Sequence, residues 1–167
     1  MLLLLAHSML GDIFFKLEHL NPKVKTIERT NIKNCSFLEV FDNQDDEKCD
    51  FCAMDLSFIS ITKVLENIKN FIKPDAFEIV ALIKPQFEAG REFIEKKGVV
   101  KDKKVHKQVI RNIIDFCSSI GLNAQKLTFS PITGPAGNIE YLVYLTNDTL
   151  KITDEIIDDV VESSHLL

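Results

Sequence analysis

The chain has 167 residues, of which 46% are hydrophobic and 27% charged, and a formal net charge of -5. That is the length and composition of one ordinary globular domain, and the acidic balance argues against a generally basic nucleic-acid binder. Four cysteines at irregular spacing are too few for a disulfide framework, and the apolar run Leu2 to Leu5 is far too short to span a bilayer and lacks the basic flank of a signal peptide.

Apolar strand-like runs alternate with helical patterns, which predicts a largely parallel α/β sheet. Leu2 to Ala6 reads as the first strand. Ser8 caps a helix to about Leu20 with Ile13, Phe14, Leu17 and Leu20 on one face, and Asn21-Pro22 ends it. Val24 to Glu28 reads as a second strand. Asn31 to Asp50 reads as irregular, with acid gathering from Asp42. Phe51 to Asp55 is the next strand. Ser60 caps a helix whose apolar positions Ile61, Val64, Leu65, Ile68, Phe71 and Ile72 keep a helical period until Pro74. Phe77 to Ile83 is a buried strand, and Glu88 to Val100 a polar loop. Asp102 caps a long helix with Val105, Val109, Ile113, Phe116, Cys117 and Ile120 facing in, and Gly121 supplies its left-handed end. Lys126 to Ser130 and Tyr141 to Thr146 read as an antiparallel pair closing the sheet. The tail from Thr153 is amphipathic, with an acidic outer face.

Cys49-Asp50-Phe51-Cys52 runs into a strand, whereas a redox site needs a helix N-terminus and a zinc site a second ligand pair. Cys52 and Cys117 therefore read as small core residues, in keeping with a reducing cytoplasm. Lys96, Lys97, Lys101, Lys103, Lys104 and Lys107 crowd together with only Asp102 between them. They read either as a loop that contacts phosphates or as a solvated loop and helix start.

Three residues stand out by placement. Asp55 and Lys84 end apolar strands, and Glu140 begins one. The carboxyl ends of strands in an α/β sheet face the crevice where ligands bind. Two carboxylates converging on a lysine orient its amine, an arrangement suited to taking a proton from a hydroxyl. Ser57 or Ser60 can cap the following helix, which frees Asp55 from that task. Phe58 and Phe87 read as core or as packing for a substrate ribose, and His106 as a helix-surface residue.

These residues lie in longer words: Asp55-Leu56-Ser57-Phe58-Ile59-Ser60, Lys84-Pro85-Gln86-Phe87-Glu88-Ala89-Gly90-Arg91-Glu92, Lys97-Gly98-Val99-Val100 with His106, and Ser130-Pro131-Ile132-Thr133-Gly134-Pro135-Ala136-Gly137-Asn138-Ile139-Glu140. Val24-Lys25-Thr26-Ile27-Glu28-Arg29-Thr30-Asn31 stands upstream. In this order they resemble the FtsJ-type RNA 2′-O-ribose methyltransferases, most closely the hemolysin A (TlyA) branch, from about Ser8 to about Leu145. The resemblance implies a Rossmann-like methyltransferase sheet flanked by helices, S-adenosylmethionine as cofactor, ribosomal RNA or a ribosomal subunit as partner, and a cytoplasmic location. It implies Lys84 as the base, oriented by Asp55 and Glu140. Glu28, Asn31 and Asp55 would face the cofactor. Pro85, Gln86, Arg91, Lys96, Lys97 and Lys101 would face the RNA.

The family pattern also contains a helix with a further lysine, a first strand and a glycine-rich loop. Here the first glycine is Gly11, and no G-x-G follows a strand in the first half of the chain. The expectation is an N-terminally truncated methyltransferase domain over residues 1–150, lacking that strand and loop, followed by an acidic amphipathic helix or tail over 151–167. Leu2–Ala6 should then pair beside Phe51–Asp55. Methyl transfer should be impaired, with a catalytically inactive RNA- or partner-binding remnant as the alternative.

Overall fold

The computed structural model describes residues 1–6, 27 and 29–167. The helix expected over Ser8 to Leu20, and the strand expected over Val24 to Glu28 apart from Ile27, lie outside the described residues. Five described strands form one sheet: β1 (Leu2–Ala6), β2 (Phe51–Asp55), β3 (Glu78–Ile83), β4 (Asn123–Phe129) and β5 (Tyr141–Thr146). Their order is β1-β2-β3-β5-β4. The first three are parallel, while β5 runs antiparallel to both β3 and β4. This is the expected α/β sheet, and β1 does lie against β2, with Ala6 beside Asp55. The closing antiparallel pair is also present, with β5 as its inner strand.

The described helices are α1 (Phe37–Val40), α2 (Thr62–Ile68), α3 (Pro85–Glu88), α4 (Lys103–Ser119) and α5 (Asp154–Ser164), with a 3-10 turn at Arg91–Phe93. In β3 the side chains of Ile79, Ala81 and Ile83 are buried, and Val80 and Leu82 are half-buried on the other face. The unbroken apolar run thus reflects a strand covered on both sides. Cys52 and Cys117 are fully buried in the same core, and burial pushes both thiols up to about 12.

Three local outcomes differ from the pattern in the sequence. Helix α1 forms in the segment expected to be irregular, because Ser36 and Glu39 make a capping box, the Ser36 N–H donating to Glu39 at 2.7 Å. Helix α2 ends at Ile68 although the apolar period continues. There the backbone turns to bond with Cys49: the Cys49 N–H donates to the Phe71 carbonyl and the Lys73 N–H to the Cys49 carbonyl, both at 2.8 Å. The polar segment after Lys84 holds a helical turn, α3, with Pro85 at its start where the missing N–H is harmless.

Asp102 caps α4 as expected, accepting from the Lys104 N–H at 2.8 Å, and Gly121 ends it at φ +78°. Helix α5 lies along α4 through Ile157 and Val161, both buried, and a row of ion pairs. Among the described residues no helix is long and apolar enough to cross a membrane.

Candidate active site

The sheet brings Asp55, Lys84 and Glu140 to one edge and one face. Asp55 and Lys84 follow the carboxyl ends of the parallel strands β2 and β3. The β3–β5 register pairs Ile83 with Tyr141, and Lys84 keeps an extended backbone at φ -113°. One further step therefore sets Lys84 opposite Glu140. The Ser130 N–H donates to the Glu140 carbonyl at 2.8 Å, which shows the same continuation on the β4 side. Because strand side chains alternate, Lys84 and Glu140 share the face opposite to buried Ile83 and Tyr141. The β2–β3 register puts Asp55 on that face too.

The Lys84 ammonium donates to the Asp55 carboxylate and lies 3.4 Å from the Ser57 hydroxyl. Lys84 is 11% exposed and Asp55 43%. The lysine is thus enclosed while its carboxylate partner faces solvent. Among the described residues Lys84 forms no ion pair with Glu140. The Glu140 carboxylate lies over Gly134, its Oε1 3.0 Å from the position a Cβ would take there. The expected triad is a bonded Lys84–Asp55 pair, with Glu140 as a neighbour in register whose carboxylate lies at Gly134.

Asp55 is free for this role because other groups cap α2. The Thr62 N–H donates to Ser60 at 3.3 Å, and the Ile61 N–H to Glu88 Oε1 at 2.8 Å. Glu88 ties the loop after β2 to the turn after Lys84. Burial raises its carboxyl above the usual range, against the hydrogen bonds from Ser60 and Ile61. Nothing local marks this contact, because 27 residues separate the partners.

Beside the pair, Phe58 is 78% exposed at φ +64°, its ring 5.0 Å from that of half-buried Phe87. Phe58, three residues after Asp55, is thus a bulky residue in the left-handed region displayed to solvent. The remaining expected residues are dispersed. Glu28 lies outside the described residues. Asn31 is exposed, and its Oδ1 accepts from the Lys33 N–H at 3.1 Å. Pro85 is buried, and the half-buried Gln86 carries a buried Oε1 without a hydrogen bond. Arg91, Lys96 and Lys97 are exposed and pair with no acid among the described residues. Lys101 pairs with Glu95 at 2.8 Å.

His106 corrects a sequence expectation: it is fully buried rather than on the helix surface. Its Nε2 lies 2.8 Å from the Val100 carbonyl and its Nδ1 2.7 Å from the Tyr141 hydroxyl. The carbonyl only accepts, so Nε2 carries the proton and Nδ1 accepts from Tyr141. Burial holds the imidazole below its ordinary range, outweighing the pull of the Val100 carbonyl. Asn138 is likewise buried, 4% exposed, with its amide bonded to the 98–100 segment. Its place at the end of the Gly-Pro-Ala-Gly-Asn loop is the only sign of it in the sequence.

The FtsJ-like methyltransferase family profile matches residues 9–147. YqxC of Bacillus subtilis, described as a candidate rRNA methyltransferase, is 37% identical over 150 residues, covering 87% of this chain and 52% of its own. The 16S/23S rRNA (cytidine-2′-O)-methyltransferase TlyA of Mycobacterium tuberculosis is 32% identical over 139 residues, 83% of this chain and 49% of its own. A solved chain described as a candidate hemolysin from Streptococcus thermophilus superimposes with TM-score 0.80 at 32% identity, covering 91% of this chain and 54% of that one. The chain spans about half the length of the curated relatives it matches.

Proposed function

Because the chain belongs to the FtsJ-like methyltransferase family, we propose that it serves methyl transfer to a ribose 2′-hydroxyl of ribosomal RNA, in the cytoplasm. The observation that carries this reading is the enclosed Lys84 bonded to Asp55, with Glu140 opposite it in the β3–β5 register. Lys84 acts as its neutral amine: the ammonium first releases one proton to water, and the amine's lone pair then takes the hydroxyl proton as the ribose oxygen bonds the methyl group, with Asp55 and Ser57 fixing its direction. Glu140, opposite Lys84 in the β3–β5 register, adds a negative charge to the lysine's surroundings. Exposed Phe58 offers a flat apolar face to the ribose or base beside Asp55.

S-adenosylmethionine, when bound, supplies a methyl group carried on a sulfonium cation. The residues present fit it in part. Asp55 bonds Lys84 through Oδ1 and is 43% exposed, which leaves carboxylate surface for a cation or a ribose hydroxyl. The Asn31 amide nitrogen donates to no partner among the described residues. In the first half of the chain no G-x-G follows a strand. Weak cofactor binding and weak transfer by this chain alone are therefore part of the proposal.

The Glu140 carboxylate turned to Gly134 favours a second reading, a module that binds RNA or a partner without chemistry. Calorimetric titration with S-adenosylmethionine, alongside labelled methyl transfer to ribosomal RNA, separates the two. Weak binding with slight transfer that vanishes in Lys84→Met supports the first reading. RNA binding without any transfer supports the second. Micromolar cofactor binding with strong Lys84-dependent transfer would show that the cofactor is held without a glycine-rich loop.

A further inference from the structure

We propose that Asn138 is a positioning residue that ties the Lys96–Lys97 turn to the loop carrying Glu140, so that RNA phosphate is gripped at a fixed offset from the reacting ribose. This rests on the RNA reading above and deepens it.

The turn is tightly built. The Gly98 N–H donates to the Glu95 carbonyl at 3.0 Å and the Glu95 N–H to the Val99 carbonyl at 2.8 Å. Lys97 sits at its tip with φ +77°, a conformation that glycine or asparagine adopts more readily than lysine. Its side chain is exposed and makes no ion pair among the described residues. The fold gains nothing visible from a lysine there, so the strained position points to a use for its charge. Lys96 beside it is equally exposed.

The turn is anchored from both sides. The Asn138 Nδ2 donates to the Gly98 carbonyl at 3.0 Å, and its Oδ1 accepts from the Val100 N–H at 3.2 Å. One side chain thus bonds this segment as a neighbouring strand would. The Val100 carbonyl accepts from His106 at 2.8 Å. Asn138 is also fixed in its own loop, its carbonyl accepting from the Gly134 N–H at 2.8 Å. Two residues further along stands Glu140, with its carboxylate over the same Gly134. A buried amide therefore joins the cationic turn to the site directly. Phosphate contacts set register on RNA, and a pre-ordered turn loses little entropy on binding.

The test measures affinity for deproteinised bacterial ribosomal RNA as a function of salt, with thermal unfolding of each variant alongside. Lys96→Ala with Lys97→Gly removes both charges and relieves the left-handed strain. It should weaken binding and reduce the slope of log K against log salt by about 0.7 to 0.9 per lysine, with unfolding temperature unchanged or raised. Asn138→Ala should weaken binding by a comparable factor and lower the slope as well. The triple variant should bind no worse than the lysine variant, because the effects share one route. If Asn138→Ala does not fold, Asn138→Asp keeps the acceptor for Val100, loses the donor to Gly98, and is read the same way. Wild-type affinity and slope in the Asn138 variant, with a weakened lysine variant, overturn the positioning role and leave the RNA reading standing. RNA binding that is indifferent to both lysines overturns this inference and leaves the RNA reading standing, whereas RNA binding that is absent overturns both.

Discussion

Asp102 separates two basic regions that look alike in sequence and differ in use. After it, Lys103, Lys107 and Arg111 project from α4 at intervals of one helical turn. On α5, Asp154, Asp158 and Glu162 keep the same spacing. The helices run antiparallel and the rows interlock: Lys103 with Glu162 at 2.7 Å, Lys107 with Glu162 at 3.0 Å, Arg111 with Asp154 at 2.6 Å. Hydrogen bonds from Lys103 and Lys107 hold the Glu162 carboxyl down at about 2. Before Asp102, Lys96 and Lys97 face solvent and form no ion pair among the described residues, Glu95 being taken by Lys101. A run of lysines is thus divided by what packs against it. Lys103 and Lys107 belong to an internal clasp, Lys101 is taken by Glu95, and Lys96 and Lys97 form no ion pair among the described residues.

The largest expected effect separates the enclosed lysine of the site from those of the clasp. Lys84→Met should take labelled-methyl transfer to background, since a positioned base contributes roughly 10²–10⁴-fold. Lys107→Met should leave transfer per folded molecule intact. Equal losses in the two would mean that basic charge, wherever placed, drives the activity.

His106 links the two regions, standing on α4 but holding the Val100 carbonyl of the turn. His106→Leu leaves the Val100 carbonyl unsatisfied, at roughly 1–3 kcal/mol, while the Tyr141 hydroxyl keeps its bond to Ser164 at 3.0 Å. Urea unfolding should show the drop. The wild-type protein should also lose stability in mild acid. The folded value lies below the ordinary 6.5, so the full contribution is present above 6.5 and fades as the pH falls from there through the folded value. Unfolding temperatures on the two sides of that value should differ in the wild type and converge in His106→Leu. No convergence would exclude His106 as the titrating group.

The smallest effect concerns the clasp. Glu162→Gln should lower the unfolding temperature slightly and in a salt-sensitive way, without changing RNA affinity. The folded value is depressed, so this contribution is present above about 4.5 and disappears as the pH falls through about 2. A gain in RNA affinity would instead move Lys103 and Lys107 to the RNA side.

What could be read in the sequence was local. The strands at Phe51 and Ile79, the Asp102 cap and the Gly121 end follow from period and turn chemistry. The shared edge of Asp55, Lys84 and Glu140 follows from strand ends in a mixed sheet. The pairing of Leu2–Ala6 with Phe51–Asp55 followed from the family comparison. The burial of His106, the Glu88 cap and the Asn138 bridge depend on partners 35, 27 and about 40 residues away, for which a polar residue in a helix or loop gives no local sign. The clasp was legible in principle from matched four-residue spacings, but only once α4 and α5 were known to lie side by side.

The buried thiols have a practical consequence. Cys35, Cys49, Cys52 and Cys117 are all free, and all lie in the interior. Burial is the main cause raising each of them, and the thiolate is the reactive form. The native chain should therefore be nearly silent toward maleimide dyes at neutral pH. A single reporter introduced by Lys96→Cys would stand out against that background, and its emission would follow the turn as RNA arrives.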